Sequence, residues 1–188
     1  MSNLKTMDLF NSSVNSSAKS FTLDKEFIDR IINELNQELI SRNRNLEITV
    51  YGGSCLCILN KYRNSTYDID LNSNDNKLLN SCIQSLGYPG DLVNTEMEVF
   101  INLNETLEVY KTLSNLQVYV PTLDYLLALK IKSARDKDLL DCVNLCSDLN
   151  VLTVKDIKTI FCKFYSVVQF STHRENFCKN VLKKLRGD

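Results

Sequence analysis

The sequence lacks the features that assign a chain to several common functional classes. It has no apolar run that reaches the roughly 18 residues of a membrane span. It has neither a G-x-x-x-x-G-K-[ST] loop nor a G-x-G-x-x-G turn, so the P-loop and Rossmann classes lose their support. The formal net charge of −1 creates no global field toward nucleic acid or membrane. Binding to RNA would therefore need a local basic patch.

Thiol and imidazole chemistry also find little support. The seven cysteines form no C-x-x-C pair, and we expect no secretory leader. We therefore expect reduced thiols in the core of a cytoplasmic protein, and no metal–thiolate site. His173 is the only histidine, so any Ser–His or Cys–His mechanism must use it. It lies at a predicted helix start, far along the chain from every plausible nucleophile, and we expect no catalytic role for it.

The composition is that of an ordinary globular protein, with 44% hydrophobic and 24% charged residues. We predict a mobile, Ser- and Asn-rich arm over residues 1–20, with a short helix near 7–10. A core over 21–120 and a helical C-terminal part over 121–188 would follow, packed as one unit. The predicted fold class is α/β (α+β), with a small mixed sheet flanked by helices.

The pattern of apolar residues predicts the individual elements. Helices are expected at 23–42, 55–59, 75–86, 123–133, 136–149, 153–165 and 172–185. Strands are expected at 46–51, 66–71, 98–103, 107–111 and 117–120.

The chain is organised around residues 46–73, which read as strand, glycine turn, short helix and second strand. Gly52 and Gly53 interrupt the first strand, and Ser54 is placed as the N-cap of the short helix. The N–H groups of such a turn can bind an anion, and the absence of two side chains lets a phosphate approach closely.

Asp68 and Asp70 lie two apart in the second predicted strand, so their side chains should share one face while Ile69 and Leu71 enter the core. Two carboxylates about 4 Å apart repel by about 4 kcal/mol at an effective dielectric near 20. A divalent cation, Mg²⁺ or Mn²⁺, would remove that conflict. Together with the turn, the pair describes a site for a nucleoside triphosphate and its metal.

The ordered set GGSCLCIL, Arg63, Thr66 and DIDL resembles the signature of the DNA polymerase β type of nucleotidyltransferase fold. It is most similar to the AbiEii-like (abortive infection) nucleotidyltransferases and their small bacterial relatives, which often carry R-x-T-x-D-I-D-L. This chain has one extra residue between Arg63 and Thr66. The resemblance implies catalytic, metal-binding carboxylates at Asp68 and Asp70. It also implies that the nucleotide is bound by Gly52, Gly53, Ser54, Arg63 and Thr66.

A second block, over 121–149, resembles the same families. Its matching residues are Lys130, Arg135, Lys137, Asp138 and Asp141. The resemblance implies that Lys130 contacts the triphosphate and that Asp138 helps to activate the acceptor hydroxyl. An equally weighted alternative is that these charges lie on solvated helix faces. Many relatives carry a third carboxylate on a later strand, for which the candidates are Glu98, Glu105 and Glu108.

The resemblance implies an enzyme that transfers a nucleotide from a nucleoside triphosphate to an acceptor hydroxyl. Similar proteins act as toxins of toxin–antitoxin or phage-defence systems, some with tRNA ends as acceptors, which implies a tRNA partner and a cognate antitoxin. One alternative is a non-catalytic nucleotide-binding or antitoxin-like protein on the same fold. Another is a helical interaction module in which the D-x-D pair faces solvent.

Overall fold

A computed structural model describes residues 22–89, 91–95 and 105–187 of the chain. The predicted arm over 1–20, its helix near 7–10 and the predicted strand over 98–103 lie outside these residues. The described part has a mixed α/β fold with a five-stranded sheet, a two-stranded sheet and seven α-helices, which confirms the predicted class.

The strands are β1 (Leu23–Asp24), β2 (Leu46–Tyr51), β3 (Ser65–Thr66), β4 (Ile69–Ser73), β5 (Val93–Asn94), β6 (Leu107–Thr112) and β7 (Leu116–Pro121). The helices are α1 (Lys25–Ser41), α2 (Gly52–Ile58), α3 (Asn76–Ser85), α4 (Leu123–Ser133), α5 (Leu139–Asp148), α6 (Val154–Phe164) and α7 (Thr172–Arg186). Short 3-10 turns cover Asp136–Asp138 and Val167–Gln169.

Contacts divide the described residues into two compact units. The first contains residues 22–95, except 90, together with Val109–Tyr119. The second contains residues 105–108 and 120–187.

The five-stranded sheet has the order β5-β4-β2-β7-β6. Strand β2 is antiparallel to β4 and parallel to β7, and β4 is parallel to β5. In this register Tyr51 lies opposite Asp70, and Asp70 lies opposite Asn94. One end of β2 therefore brings three strands together immediately before the glycine turn.

Helix α1 packs an apolar stripe into the first unit, as the sequence predicts. The Asp24 side chain caps it by accepting a hydrogen bond from the Phe27 N–H at 2.8 Å, which satisfies one of the unpaired amides of the first turn. Its buried residues recur at helical spacing, at Ile28, Ile31, Ile32, Leu35 and Leu39.

The second unit contains helices α4 to α7. Helix α4 has the predicted bounds, and α6 begins with the predicted cap, a capping box between Thr153 and Asp156. The single helix predicted over 136–149 is wrong at its start. Residues 136–138 form a 3-10 turn, and α5 begins at Leu139. The chain reverses just before this turn, where Ala134 takes a left-handed conformation with φ 47°.

None of the seven cysteines is in a disulfide, and six are buried, which confirms the prediction of core thiols. Burial raises the pKa of the Cys146 and Cys178 thiols to about 12, so both stay protonated and unreactive at neutral pH. Within the described ranges, every helix is too short or too polar to cross a bilayer.

Candidate functional site

The turn that follows β2 is built around Gly52. Its φ of +61° lies in the left-handed region, which residues with a Cβ adopt at a cost. A Cβ built at this position would overlap the Asp70 Oδ2 atom and would lie 3.2 Å from Asp70 Cγ. Both the backbone and the neighbouring carboxylate therefore require glycine here.

Gly53 makes room for two further side chains of the predicted site. A Cβ at Gly53 would lie 2.8 Å from Thr66 Oγ1 and 3.2 Å from an Arg63 guanidinium nitrogen, Nη1. Thr66 is only 3% exposed and is held in β3, opposite Leu23 of β1. The two glycines thus bring the side chains of Asp70, Thr66 and Arg63 against the turn.

Ser54 lies in the first turn of α2, and its expected role as N-cap is wrong. The helix begins at Gly52, with Tyr51 in the cap position and no side-chain cap. Ser54 is fully buried, donates a hydrogen bond to the Tyr51 carbonyl at 2.7 Å and accepts one from the Asp70 N–H at 3.3 Å. Its hydroxyl therefore joins the end of β2 to β4 and fixes the backbone of Asp70.

The strand that carries the aspartates is shorter than predicted. Residues 65–66 form β3, which pairs with β1, and β4 begins only at Ile69, so Asp68 precedes the strand. Ile69 and Leu71 are 1% and 2% exposed, which confirms that they enter the core. Asp68 and Asp70 are half-buried in alternation with them, as expected if both carboxylates lie on the face opposite the core.

The two carboxylates differ in their partners. Asp70 Oδ1 accepts a hydrogen bond from the Asn94 side-chain amide at 2.9 Å. Asp68 makes no side-chain hydrogen bond or ion pair within the part of the chain that the structure describes. Asp68 is therefore a half-buried carboxylate whose charge is available for a ligand.

Asn94 is the functional candidate that the sequence alone did not reveal. It lies on β5, a strand of two residues, and reaches Asp70 through the parallel pairing of β5 with β4. The only local signal is a polar amide directly after the apolar pair Leu92 and Val93, both of which are buried. Without the strand pairing, that signal does not distinguish Asn94 from any other loop amide.

The donor set fits a hard divalent cation. Mg²⁺ is usually held by one or two carboxylates, with waters and substrate phosphate oxygens completing its coordination. Asp68 and Asp70 provide such carboxylates. Over residues 22–89, 91–95 and 105–187, no cluster of three or more His, Cys, Asp or Glu side chains could hold a metal. Of the proposed third carboxylates, Glu108 is exposed, Glu105 is half-buried and Glu98 lies outside the described residues.

The second predicted cluster lies within the second unit and is buried. Lys130, Asp138 and Asp141 are 4%, 2% and 3% exposed, so the expectation that they lie on solvated helix faces is wrong. The Lys130 ammonium donates to Asp138 Oδ1 at 3.0 Å and to Asp141 Oδ2 at 2.6 Å. Asp138 Oδ2 accepts further hydrogen bonds from Ser133 Oγ at 3.0 Å and Arg135 Nε at 2.8 Å.

The charges of this cluster compensate one another. Burial alone would raise the pKa of Asp138, but the charges of Lys130 and Arg135 hold that pKa below its usual value. Asp138 is therefore ionised at neutral pH and is a weak base. Arg135 is the member that reaches solvent, because 56% of its side chain is exposed.

Comparison with protein-family models gives a match over most of the chain. A family model described as "Nucleotidyltransferase of unknown function (DUF6036)" matches residues 14–180. No curated protein and no solved structure matches the chain.

Proposed function

The chain belongs to this nucleotidyltransferase family, and we propose that it is a metal-dependent enzyme that transfers a nucleotide from a nucleoside triphosphate to an acceptor hydroxyl. The observation that carries the proposal is the placement of the Asp70 carboxylate against Gly52, with the half-buried Asp68 two residues away along the chain. Asp70 thus lies against the glycine turn, and the resemblance assigns these two features to metal and phosphate.

Asp68 and Asp70 would hold Mg²⁺ or Mn²⁺. When bound, the cation would offset the negative charge of the triphosphate and of the departing pyrophosphate. Asn94 holds Asp70 Oδ1 through its amide, and Ser54 holds the Asp70 backbone, so the carboxylate is oriented before a substrate arrives. Such preorganisation reduces the ordering cost of binding.

Arg63 and the turn at Gly52 and Gly53 would bind phosphate oxygens. The guanidinium of Arg63 lies beside Gly53, and its planar set of donors suits bidentate contact with phosphate. The acceptor oxygen forms a new bond to the α-phosphorus, the bond from that phosphorus to pyrophosphate breaks, and the hydroxyl proton passes to a base. We propose no role for Lys130 or Asp138 in that step, because each is buried and paired with the other.

The resemblance further implies that the protein is an AbiEii-like toxin or defence protein that modifies tRNA and is neutralised by a cognate antitoxin.

Isothermal titration with ATP, GTP, CTP and UTP, with and without Mg²⁺, tests the binding half of the proposal. We expect at least one triphosphate to bind in a Mg²⁺-dependent way, and Asp68→Asn combined with Asp70→Asn to abolish that binding. Glu47→Gln, which neutralises an exposed carboxylate elsewhere on β2, is the matched control and should bind normally. Binding that ignores Mg²⁺, or that survives the double substitution, would contradict the proposal.

Transfer itself needs a separate measurement. We expect label from an α-phosphate-labelled triphosphate to appear on RNA with the wild-type protein and not with Asp70→Asn. Wild-type protein that binds triphosphate but labels neither RNA nor protein would be a nucleotide-binding protein, and the enzymatic proposal would be wrong.

A further inference from the structure

A basic cavity lies within the second unit, between the start of α6 and one face of α7. Its volume is about 340 Å³, and it is lined by Thr153, Val154, Lys179, Leu182, Lys183 and Arg186. The α7 residues recur at i, i+3, i+4 and i+7, so they form one continuous face of the helix. No part of the candidate site described above contributes to it.

Helix α7 as a whole carries far more positive than negative charge. Helix α7 carries the cations Arg174, Lys179, Lys183, Lys184 and Arg186 against the single carboxylate Glu175. Helices commonly place cations in the last turn to complement the macrodipole, but Lys179 lies in the middle of this helix. With five cations and one carboxylate, the helix carries a net charge of +4.

The three lining cations differ in how far they are committed. Lys179 forms an ion pair with Glu175 at 2.8 Å, and Arg186 Nη2 donates to the Leu152 carbonyl at 3.0 Å. The Lys183 ammonium makes no hydrogen bond or ion pair with any residue that the structure describes. The nearest acidic group on α6, Asp156, is held in its capping box by the Thr153 N–H at 3.0 Å. Positive charge thus remains available at the cavity.

We propose that this surface, Lys179, Lys183 and Arg186 around the cavity, binds the phosphodiester backbone of a polynucleotide strand. The inference rests on the proposed function, because it identifies the acceptor as a polynucleotide. The three cations are spread over about 10 Å of helix axis at a rise of about 1.5 Å per residue. That span matches about three nucleotides of a stacked strand at about 3.4 Å each.

The cavity floor distinguishes this ligand from a free phosphate. Val154 and Leu182 line the cavity together with the cations, and Leu182 is 4% exposed. Apolar contacts of this kind suit the ribose or base of a bound nucleotide, whereas inorganic phosphate needs only the cations. A row of charges along one helix face also suits a polynucleotide backbone, whose charges are regularly spaced, better than it suits an acidic peptide.

Fluorescence anisotropy with a labelled 20-nucleotide RNA, over a series of KCl concentrations, tests the proposal. Each phosphate contact to a single strand contributes about 0.7 to the slope of log K against log salt. We expect Lys183→Gln to weaken binding by about threefold to tenfold and to reduce that slope by about 0.7. Lys184→Gln is the matched control, because it removes the same charge from the next residue of the same helix, outside the cavity. It should have a smaller effect on both quantities.

Equal effects of Lys183→Gln and Lys184→Gln would overturn the proposal. So would a 20-residue poly-glutamate that binds as tightly as the RNA and depends on Lys183, since the surface would then suit an acidic protein. Competition by inorganic phosphate at millimolar concentration would identify a simple anion site and would also overturn it. If the wild type binds RNA but binds no triphosphate in a Mg²⁺-dependent way, the proposed function is wrong while the proposed RNA-binding surface is supported.

Discussion

Two pairs of aspartates, each close together in sequence, differ in their burial and in their partners. Asp68 and Asp70, in the first unit, are half-buried, and Asp68 makes no ion pair within the described residues. Asp138 and Asp141, in the second unit, are at most 3% exposed and share the Lys130 ammonium. The first pair lies half-buried beside the glycine turn, whereas the second has its charge neutralised inside the fold. Exposure and partners, more than residue type or spacing, distinguish a binding carboxylate from a structural one.

The largest expected effect breaks the buried cluster. Lys130→Ala removes the ammonium that Asp138 and Asp141 share, and removal of one partner from a buried ion pair typically costs about 3–5 kcal/mol. We expect urea denaturation to show a loss of that size in the free energy of unfolding. Lys137→Ala, an exposed neighbour of the cluster, should stay within about 0.5 kcal/mol of wild type. If Lys130→Ala keeps wild-type stability and loses only triphosphate binding, Lys130 is a ligand, as the resemblance implies.

The next effect tests the first site through its glycine. Gly52→Ala must adopt a left-handed backbone, which costs about 1–2 kcal/mol, and must also displace the Asp70 carboxylate. Gly87→Ala is a control for the backbone cost, because Gly87 has φ +76° and no atom within 4 Å of an added Cβ. We expect both variants to lose stability in thermal melts and only Gly52→Ala to lose Mg²⁺-dependent triphosphate binding, by at least tenfold. Equal triphosphate affinity in the two variants would mean that Asp70 does not need its position against the turn.

The sequence was informative where local patterns decide the structure. Helix α4 has its predicted bounds, since the pattern that defines it lies within about a dozen residues. Gly52 and Asp70 lie 18 residues apart in one strand–helix–strand segment, so their contact could be anticipated. The interruption of the predicted strand at Tyr67 and Asp68 could not be anticipated. Residues 65 and 66 pair with β1, which lies more than 40 residues earlier in the chain.

The burial of Lys130 is the largest difference between the sequence-based expectation and the structure. A lysine inside the run LLALKI has apolar neighbours on both sides, which is a local sign of a buried position. Its carboxylate partners lie 8 and 11 residues later, and they reach it only because the chain reverses at Ala134. Helical periodicity does not predict such a reversal, since alanine rarely adopts φ > 0. The same reasoning applies to Asn94, which only strand pairing brings to Asp70.

A smaller effect is the pH dependence of stability that the buried carboxylate of Asp138 produces. The pKa of Asp138 is lower in the folded state than in the unfolded chain, so its contribution to stability is present above about pH 4. That contribution is lost as the pH falls from about 4 through the folded pKa. We expect the free energy of unfolding to fall between pH 5 and pH 3, and to fall less steeply in Asp138→Asn than in the wild type. Parallel pH profiles for the two proteins would contradict the role of Lys130 and Arg135 as its stabilising charges.

The smallest effect concerns Asn94, whose side-chain amide donates a hydrogen bond to a carboxylate oxygen of Asp70. The carboxylates of the second site are also held by hydrogen-bond donors. Asn94→Ala removes the 2.9 Å hydrogen bond to Asp70 Oδ1 and with it one of the contacts that orient the carboxylate. A single hydrogen bond of this kind contributes about 0.5–1.5 kcal/mol, so triphosphate affinity should fall by about twofold to tenfold. Because Asn94 is exposed, stability should change little, unlike the result for any member of the buried cluster. Titration with Mg²⁺ and triphosphate measures the first quantity, and urea denaturation the second. A loss of stability without a loss of affinity would make Asn94 a structural residue, and the first site would then resemble the second more closely than its exposure suggests.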